Sequence, residues 1–474
     1  MSIFVGNYNV PDLFYNNMER KVTEILLKWK ESNNRALVLE GPRQVGKTHI
    51  MKEFAKLYSC SEYIDLEHDL SFRAIFEETG NADLIYEKLS YCGIRFDFDC
   101  GRPLLILDGI QSCPSAYSAL KTLAADGRCD ILASGSLIGI QLSDTDRLSP
   151  MGYVQYVRME PMDFEEFLWA MGIEHDLTEK LRRTLDSEED IGKSTRSAIT
   201  DYFRKFMTVG GMPAAVLKYA ETKDYNEVRE IHASIYRIIE SDALKYSDRK
   251  DRLKILSCLE SIPQQLSKEN KTFVYKDIEK TAGAGKREYG SAIDWLYRAG
   301  LINICYNLKD ICEPLSQMER PESFKIYMKD SGLLTYMLGI GSASAIESGD
   351  TYVNRGAVME SCIAQALICN GYRIHFYSKQ NSTLEMDFIL NYKDKITALE
   401  VKSGKQKKSK SLTMMVSGQY NVGSGIKISD SPVSIDELGI LHLPLFGPCF
   451  FDPPVFKNVP APGPEEVNSL LREM

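Results

Sequence analysis

One segment of eight residues limits the possible folds of this chain more than any other. It fits the phosphate-binding loop pattern G-x-x-x-x-G-K-[ST], in which the glycines let backbone N–H groups surround a phosphate. The lysine of the pattern reaches the β- and γ-phosphates, and the hydroxyl ligates Mg²⁺. The segment, together with the next residue as a further nucleotide-binding candidate, is Gly41, Pro42, Arg43, Gln44, Val45, Gly46, Lys47, Thr48 and His49.

The sequence on both sides of this loop supports the prediction. Residues 36–40 form an apolar run typical of a buried strand, and residues 49–57 have the pattern of a helix. Residues 12–32 predict an amphipathic helix that packs on the nucleotide domain. A strand, a loop and a helix in this order predict an α/β domain that binds a nucleoside triphosphate, which we take to be ATP.

Two further apolar strands end in polar residues suited to the same site. The run 103–108 ends in Asp108, the Walker B pattern, whose carboxylate holds Mg²⁺ beside the phosphates. The run 130–136 ends in hydroxyls, and Ser134 is the candidate contact to the γ-phosphate or to the attacking water. An ordinary strand end closed by a Ser-Gly turn is the alternative. The predicted Mg²⁺ ligands of this site are Thr48 and Asp108.

The residue after Asp108 affects the predicted chemistry. It is Gly109, whereas most ATPases with an additional strand place a glutamate there to orient the attacking water. Glu67 and Glu40 are possible substitutes, or ordinary residues at strand ends. We therefore expect slow ATP hydrolysis that a Gly109→Glu substitution would accelerate.

Two arginines follow in a loop region with glycine and proline. Arg147 and Arg158 are each either an arginine finger offered to a neighbouring subunit or an ordinary surface arginine.

Length, charge and composition set the broad class. A chain of 474 residues predicts about three domains. The net charge of −9 argues against a uniformly basic protein that coats nucleic acid, but not against a local basic groove. Eleven scattered cysteines without a C-x-x-C pair are typical of reduced thiols in the cytosol. No signal peptide or long apolar run is seen, so we expect a cytoplasmic protein without a membrane span.

The middle of the chain is predicted to be mostly helical. Residues 160–245 have helical patterns, as expected of a lid after the nucleotide domain. Residues 250–310 predict three helices followed by a hairpin, which is the winged-helix order. If this segment binds DNA, its third helix would be the reader; a packing module between the other domains is the alternative. The candidate reader residues are Lys286, Arg287, Tyr289 and Arg298.

A second candidate site lies towards the C-terminus. Asp387, followed one strand later by Glu400 and Lys402, has the spacing of PD-(D/E)xK nucleases. Glu400 and Lys402 should share one face because side chains alternate along a strand. Asp387 and Glu400 are the predicted Mg²⁺ ligands, Lys402 would position water or stabilise the phosphate, and Glu360 on the preceding helix would complete the catalytic set. The lysines between 405 and 410 either meet a phosphate backbone or form a solvated charge run.

These segments together resemble the prokaryotic AAA-type ATPases that carry a C-terminal domain of unknown function. Besides the loop, the resemblance is carried by residues 107–111, 134–136, 160–168 and 209–213, and it spans most of residues 35–410. It implies a C-terminal domain with a restriction-endonuclease-like fold and a homo-oligomeric ring. The family usually has Asp-Glu-Ile-Gln at 108–111 and a Gly-Arg pair where this chain has Gly152-Tyr153. Both departures bear on hydrolysis and leave the nucleotide-binding loop intact.

The sequence thus predicts an α/β multidomain protein. A P-loop AAA core with a parallel sheet occupies residues 1–158, a helical lid 159–247, a winged-helix-like segment 248–340, and a restriction-endonuclease-like α/β domain with a Pro-rich tail 341–474. We expect ATP, with Mg²⁺, to control a DNA-associated C-terminal domain. The alternatives are a metal-dependent nuclease in its own right, or a nucleotide-gated interaction module that neither hydrolyses ATP nor cuts DNA.

Overall fold

The computed structural model describes residues 18–32, 35–99, 101–136, 152–246, 249–279, 285–348, 355–379, 384–402 and 409–454. Strands within these ranges form two sheets, one of five strands and one of eight. Helices occupy most of the chain between the two sheets.

The first sheet is parallel throughout and contains the phosphate-binding loop. Its strands lie in the order β2-β3-β4-β1-β5. Because β4 lies between β1 and β3, the carboxyl ends of these three strands meet at one edge, where ligands of such sheets bind. The predicted parallel sheet is therefore confirmed. The strands are β1 (Ala36–Glu40), β2 (Ser61–Asp65), β3 (Leu104–Asp108), β4 (Asp130–Gly135) and β5 (Val154–Arg158).

Helices cover both faces of this sheet. Leu37 and Leu39 face a core shared with α1 and α2, whereas Ala36 and Val38 face a core shared with α3, α4 and α5. Alternate residues therefore serve opposite faces, which explains the continuous apolar runs. The helices are α1 (Val22–Ser32), α2 (Lys47–Ala55), α3 (Leu70–Glu78), α4 (Ala82–Tyr91) and α5 (Pro114–Asp126).

The region after β5 is helical, as its sequence pattern predicted. The first of these helices begins with a capping box, in which the Asp163 side chain accepts from the Glu166 N–H and the Glu166 side chain accepts from the Asp163 N–H. The helices are α6 (Phe164–Ala170), α7 (His175–Asp186), α8 (Lys193–Val209), α9 (Pro213–Thr222), α10 (Tyr225–Tyr246) and α11 (Arg249–Leu266).

The second sheet is mixed and has the order β12-β13-β11-β10-β9-β8-β6-β7. The hairpin of β6 and β7, predicted as a wing, joins the C-terminal strands through parallel pairing of Tyr306 with His375 and Asn307 with Phe376. One sheet therefore crosses the predicted domain boundary at residues 340 and 341, and that boundary stays a prediction. The strands are β6 (Ile302–Leu308), β7 (Glu319–Met328), β8 (His375–Ser378), β9 (Glu385–Tyr392), β10 (Lys395–Val401), β11 (Ser424–Ile428), β12 (Ser434–Ile435) and β13 (Leu441–Leu443).

The remaining helices accompany this sheet and are α12 (Lys286–Arg298), α13 (Ser331–Met337), α14 (Gly341–Ser348), α15 (Arg355–Cys369) and α16 (Lys410–Met414). The middle helix of the predicted winged-helix order is a short 3₁₀ turn, Tyr275–Asp277, where it is described.

Aromatic side chains connect the helical region to the C-terminal part of the chain. The ring of Phe164 in α6 lies 5.5 Å from that of Phe206 in α8 and 6.1 Å from that of Phe450. The two parts therefore share one hydrophobic core. Among the helices of the described ranges, none is both long and apolar enough to cross a bilayer.

Candidate functional site

The phosphate-binding loop has a tightly turned backbone between β1 and α2. Gln44 and Gly46 have positive φ angles of 65° and 92°. A Cβ atom at Gly41 would lie only 2.2 Å from the carbonyl oxygen of Met159, so only glycine fits there. The helix α2 begins at Lys47, which places the positive end of its dipole at the loop.

Asp108 is the centre of the hydrogen bonds beside the loop. Its Oδ2 atom accepts from Thr48 Oγ1 at 2.6 Å and from Tyr63 OH at 2.8 Å, and its Oδ1 atom accepts from Ser134 Oγ. The structure therefore brings together Thr48, Asp108 and Ser134, the residues that the sequence selected. Tyr63 was not selected; burial and its bond to Asp108 raise the pKa of its hydroxyl, so it stays a donor.

Lys47 is held inside the loop. Its Nζ atom donates to the carbonyl oxygens of Gly41 at 2.9 Å and Pro42 at 2.6 Å. Burial lowers the pKa of Lys47 to about 8, against the opposing attraction of Asp108. A bound phosphate would favour the charged form of this lysine.

The remaining loop residues have different positions. Arg43, Gln44 and His49 line the same pocket as Lys47 and Thr48, whereas Val45 is buried beneath it.

The oxygen atoms at this edge suit Mg²⁺. Thr48 and Asp108 offer a hydroxyl and a carboxylate, which are hard oxygen ligands. Thr48 Oγ1 lies 2.6 Å from Asp108 Oδ2. One cation can therefore contact both residues. Their chemistry fits the predicted role, which stays a prediction.

Glu67 lies beside Gly109. A Cβ atom at Gly109 would come within 3.2 Å of both the Cβ and the backbone nitrogen of Glu67, and the φ angle of Gly109 is 74°. Glu67 lines the pocket with Asp108 and Ser134. Glu67 therefore places a carboxylate beside position 109, where this chain has a glycine in place of an acidic residue. A Gly109→Glu side chain would be strained and would crowd Glu67, so that substitution is a poor test of the missing acid.

The other proposed substitute, Glu40, lies near two charged groups of β5 and the segment after it. Burial raises the pKa of Glu40, with Arg158 opposing and Glu160 adding to the shift. Arg158 itself forms an ion pair with Glu160 of its own chain, with 2.8 Å between Nε and Oε1. Arg147 lies outside the described residues.

Arg20 supports the loop from behind and was not predicted. Its Nη1 atom donates to the carbonyl oxygen of Val45 at 2.8 Å, and its Nη2 atom to that of Glu160 at 2.7 Å. Its Nε atom lies 3.1 Å from Oε1 of the buried Glu166. The segment 160–168, which carried part of the family resemblance, therefore fixes the loop through one arginine.

Of the C-terminal candidates, the structure brings the side chains of Glu400 and Lys402 together. Lys402 Nζ lies 2.6 Å from Glu400 Oε1, so both side chains share a face as predicted. On the neighbouring strand, Asp387 Oδ2 accepts from the N–H of Val401 at 2.8 Å. The second oxygen of Glu400, Oε2, is buried and makes no hydrogen bond within the described part of the chain.

Glu360 lies in a buried network of charged and polar side chains, and the charges of this network also act on Asp387. Glu360 accepts hydrogen bonds from Lys271, from Lys325 at 3.2 Å and from Tyr327 at 2.5 Å. Lys325 also lies 2.9 Å from Glu385. We call these five residues the Lys325 cluster. Burial would raise the pKa of Glu360, but Lys325 and Lys271 lower it to about 2.

The acids of this region are not arranged as a complete metal cage. Burial, with the charge of Glu360 adding to it, raises the pKa of Asp387 to about 6. Among the described residues, no group of three or more His, Cys, Asp or Glu side chains could hold a metal ion. A cation between Asp387 and Glu400 would therefore need further ligands, such as water or a phosphate.

The candidate DNA-reading helix, α12, places its predicted residues differently. Tyr289 is buried in the core, so its selection as a reader was wrong. Arg298 forms an ion pair with Asp294 at 2.7 Å, and Lys286 and Arg287 are exposed. Lysines 405, 407 and 408 lie outside the described residues, and Lys410 begins α16.

Three protein-family models match separate parts of the chain, each covering less than half of it. Residues 33–168 match an AAA domain, residues 200–344 a domain of unknown function (DUF8612), and residues 355–446 a second domain of unknown function (DUF4143). The segment 33–168 contains the loop, Asp108 and Ser134. It is a P-loop domain of the AAA type.

Several solved structures are similar to this chain. A Walker-type ATPase of Pyrococcus abyssi is 14% identical, with 68% of this chain and 95% of that chain covered and a TM-score of 0.42. The ORC1 protein of Aeropyrum pernix, in complex with DNA, is 13% identical, with 76% and 96% covered and a TM-score of 0.30. Cdc6p from Pyrobaculum aerophilum is 15% identical, with 74% and 99% covered and a TM-score of 0.29. No curated protein matches the sequence.

Proposed function

We propose that the chain, with its AAA domain at residues 33–168, binds ATP with Mg²⁺, hydrolyses it slowly, and thereby controls a C-terminal domain that associates with DNA. The observation that carries the proposal is the set of contacts from Thr48, Tyr63 and Ser134 to Asp108 beside the loop. Such polar groups at the carboxyl edge of a parallel sheet suit a phosphate ligand and its cation.

Different residues at the loop would bind the phosphates and the Mg²⁺ ion. The backbone N–H groups of the loop and the start of α2 would hold the phosphates, and Lys47 would neutralise their charge. Thr48 and Asp108 would hold Mg²⁺, which supplies further positive charge to the phosphates when bound.

Glu67 is the residue best placed to orient the attacking water. In the reaction, the water oxygen bonds to the γ-phosphorus, Glu67 accepts the proton, and the bond from that phosphorus to ADP breaks with its electron pair on ADP. Glu67 Oε1 lies 3.1 Å from Arg43 Nη2, so this ion pair has to open before Glu67 can accept the proton. Hydrolysis is therefore slow.

Binding and hydrolysis can be tested separately. Lys47→Ala should weaken ATP binding on the order of 10- to 100-fold, because a charged contact is lost. Glu67→Gln should not weaken ATP binding but should lower turnover about 100-fold, as expected for loss of a general base. Calorimetry measures the first change and phosphate release the second.

A matched control is Glu53→Gln, which removes a carboxylate of α2 that pairs with Lys56 at 2.7 Å. It should change neither quantity. If Lys47→Ala binds ATP as well as the parent, the proposed nucleotide site is wrong.

The AAA domain also motivates a proposal about assembly. We propose that the chain forms homo-oligomers, as AAA-type proteins do, and that ATP favours them. Light scattering of the full chain with and without ATP measures this directly. A monomer under both conditions would contradict the proposal.

A second candidate function is a Mg²⁺-dependent nuclease. It is favoured by the buried Oε2 of Glu400, which makes no hydrogen bond within the described residues and lies on a strand adjacent to Asp387. An orphaned carboxylate oxygen of this kind suits a cation. Linear, supercoiled and single-stranded DNA with Mg²⁺ or Mn²⁺ provide the test. Absence of cleavage, or cleavage that persists in Lys402→Ala, removes this function.

A further inference from the structure

Arg43 connects the nucleotide pocket to the helix α10. Its Nη2 atom lies 3.1 Å from Glu67 Oε1, and its Nε atom lies 2.8 Å from Asp242 Oδ2. The three side chains are 20% to 30% exposed, so solvent screens these ion pairs less than it screens pairs on the open surface. The guanidinium of Arg43 therefore links three parts of the chain, which are the phosphate-binding loop, the segment after β2 and the helix α10.

The position of Arg43 is at a boundary between two pockets. It lines the nucleotide pocket together with Lys47 and Glu67. It also lines an adjoining cavity between the loop, α10 and α12, whose walls include Asp242 and Trp295. The guanidinium therefore contacts one carboxylate of the nucleotide pocket and one of the adjoining cavity at the same time.

The γ-phosphate of ATP would compete for this arginine. A guanidinium has five N–H donors in a planar fork that matches carboxylates and phosphates alike. Its bidentate bonds to phosphate are among the strong hydrogen bonds of proteins. ADP lacks the γ-phosphate and would leave Arg43 with its two carboxylates.

We propose that Arg43 is a latch that responds to the γ-phosphate; this rests on the proposed ATP site. With ADP, Arg43 holds Asp242 and so keeps α10 against the loop, and its pair with Glu67 keeps that carboxylate from accepting a proton. With ATP, the γ-phosphate takes the guanidinium, which releases α10 and frees Glu67. Asp242 is thus a positioning residue that acts through Arg43.

The contacts of α10 lead towards the C-terminal part of the chain. Arg229 of α10 donates to the carbonyl oxygen of Tyr336 in α13 at 3.3 Å. At the start of α13, the N–H of Ser331 donates to the Gln365 side chain of α15 at 3.0 Å. The same helix α15 carries Glu360 of the Lys325 cluster. Release of α10 would therefore act on elements that adjoin the second site.

The test compares ATP with ADP binding to the full chain. Calorimetry with a slowly hydrolysed ATP analogue and with ADP is done on the parent, Asp242→Asn, Asp242→Glu and Arg43→Gln. Asp242→Asn should bind the ATP analogue roughly three- to tenfold more tightly, because one competitor for Arg43 is weakened, and ADP within about twofold. Asp242→Glu should restore values close to those of the parent. Arg43→Gln should lose most of the preference for the ATP analogue.

A second readout separates positioning from folding. Asp242→Asn should lower KM for ATP without lowering kcat, which a merely structural defect would not do. The matched control is Asp201→Asn on α8, which removes a surface pair with Arg204 at 2.7 Å and should change no nucleotide affinity.

The outcomes distinguish this latch from the function on which it rests. If Asp242→Asn changes the affinities for the ATP analogue and ADP by the same factor, or changes neither, the latch is wrong even though the ATP site stands. If the parent binds neither nucleotide, the ATP site and the latch are both wrong.

Discussion

The proposed nucleotide site and the Lys325 cluster are built from the same kinds of side chain, but their charges are paired in opposite ways. Beside the loop, Lys47 bonds to carbonyl oxygens and Asp108 to hydroxyls. In the cluster, Lys325 contacts the carboxylates of Glu360 and Glu385 directly. The pKa of Lys47 is lowered to about 8, whereas that of Lys325 is raised despite its burial, because Glu360 and Glu385 stabilise its charge.

This difference in pairing distinguishes charged groups that can bind a ligand from charged groups that stabilise the fold. Lys47 and Asp108 do not neutralise each other by direct contact, so their charges remain available to a ligand. Lys325 and Glu360 satisfy each other inside the protein, so their charges contribute to the fold. A carboxylate near a lysine is therefore not by itself a mark of a binding site, and this applies equally to Glu400 and Lys402, whose side chains lie 2.6 Å apart.

The largest effect is expected from Lys325→Met. Lys325 is fully buried, and its loss leaves the charges of Glu360 and Glu385 less compensated. Removal of one member of a buried pair should reduce the free energy of unfolding by about 3–5 kcal/mol. Chemical denaturation measures this change.

Two further variants make this comparison decisive. Lys268→Met removes a half-exposed pair with Asp277 at 2.6 Å and should cost at most about 1 kcal/mol. Adding Glu360→Gln to Lys325→Met should recover part of the loss, because the buried charge is then removed as well. Equal losses in Lys268→Met and Lys325→Met would contradict the structural role of the cluster.

The next effect concerns the turn that lies between the two regions. Gly211 follows α8, its N–H donates to Asp330 at 2.6 Å, and a Cβ atom there would lie 2.0 Å from the carbonyl oxygen of Met162. Gly211→Ala should therefore reduce the free energy of unfolding by about 1–3 kcal/mol, through overpacking.

It should also weaken ATP binding, because Pro213 and Ala214 nearby line the nucleotide pocket. The control is Gly341→Ala, where a Cβ atom would meet nothing within 4 Å. If both variants behave alike in denaturation and calorimetry, the turn does not join the two regions.

A third effect follows from the lowered pKa of Lys47. Above pH 8 its ammonium group loses its proton, so ATP affinity should fall, by up to about tenfold per pH unit. The raised pKa of Lys325 predicts that stability of its cluster is unchanged over the same pH range. Calorimetry from pH 7 to pH 9.5 measures the change in ATP affinity, and thermal unfolding over the same pH range measures the stability of the Lys325 cluster. Lys47→Arg, which keeps its charge, should show a flat profile; a parent profile equally flat would contradict the assignment.

The cluster has its own pH window at the acidic end. The pKa of Glu360 in the folded chain is about 2, below its ordinary value of 4.5. Its contribution to stability is therefore present above pH 4.5 and is lost as the pH falls towards 2. In Glu360→Gln, unfolding should depend less on pH across this window.

The smallest effect is expected from Arg158→Gln. Because Arg158 pairs with Glu160 of its own chain, we expect turnover to change by less than about twofold. A loss of about 1,000-fold would instead identify Arg158 as an arginine finger. Phosphate release at several protein concentrations measures this.

Local patterns in the sequence predicted which residues lie together at the loop. The loop, Asp108 and Ser134 each follow or end a buried strand, and a parallel sheet brings such ends together. The alternation of side chains along β10, continued to the next residue, placed Glu400 and Lys402 on one face. These features depend on neighbours in the chain or on one rule of strand geometry.

The missed residues depend on long-range packing. Lys271 and Lys325 stand 89 and 35 residues from Glu360. Arg20 stands 25 residues from Val45 and 140 from Glu160. An isolated basic residue has no local pattern that reveals a buried partner so far away. The assignment of Tyr289 failed for a related reason, since an aromatic side chain on an amphipathic helix serves the core as readily as a ligand.

The second sheet also has a consequence for synthesis of the chain. The strand β6 ends at Leu308, but its partner β8 begins only at His375. At ribosomal rates of about 5–20 residues per second, the edge of β6 that pairs with β8 remains unpaired for several seconds during synthesis. An unpaired edge of this kind is a template for aggregation. A fragment cut at residue 340 would keep that edge exposed permanently, so we expect well-behaved recombinant fragments to extend through β13 at Leu443.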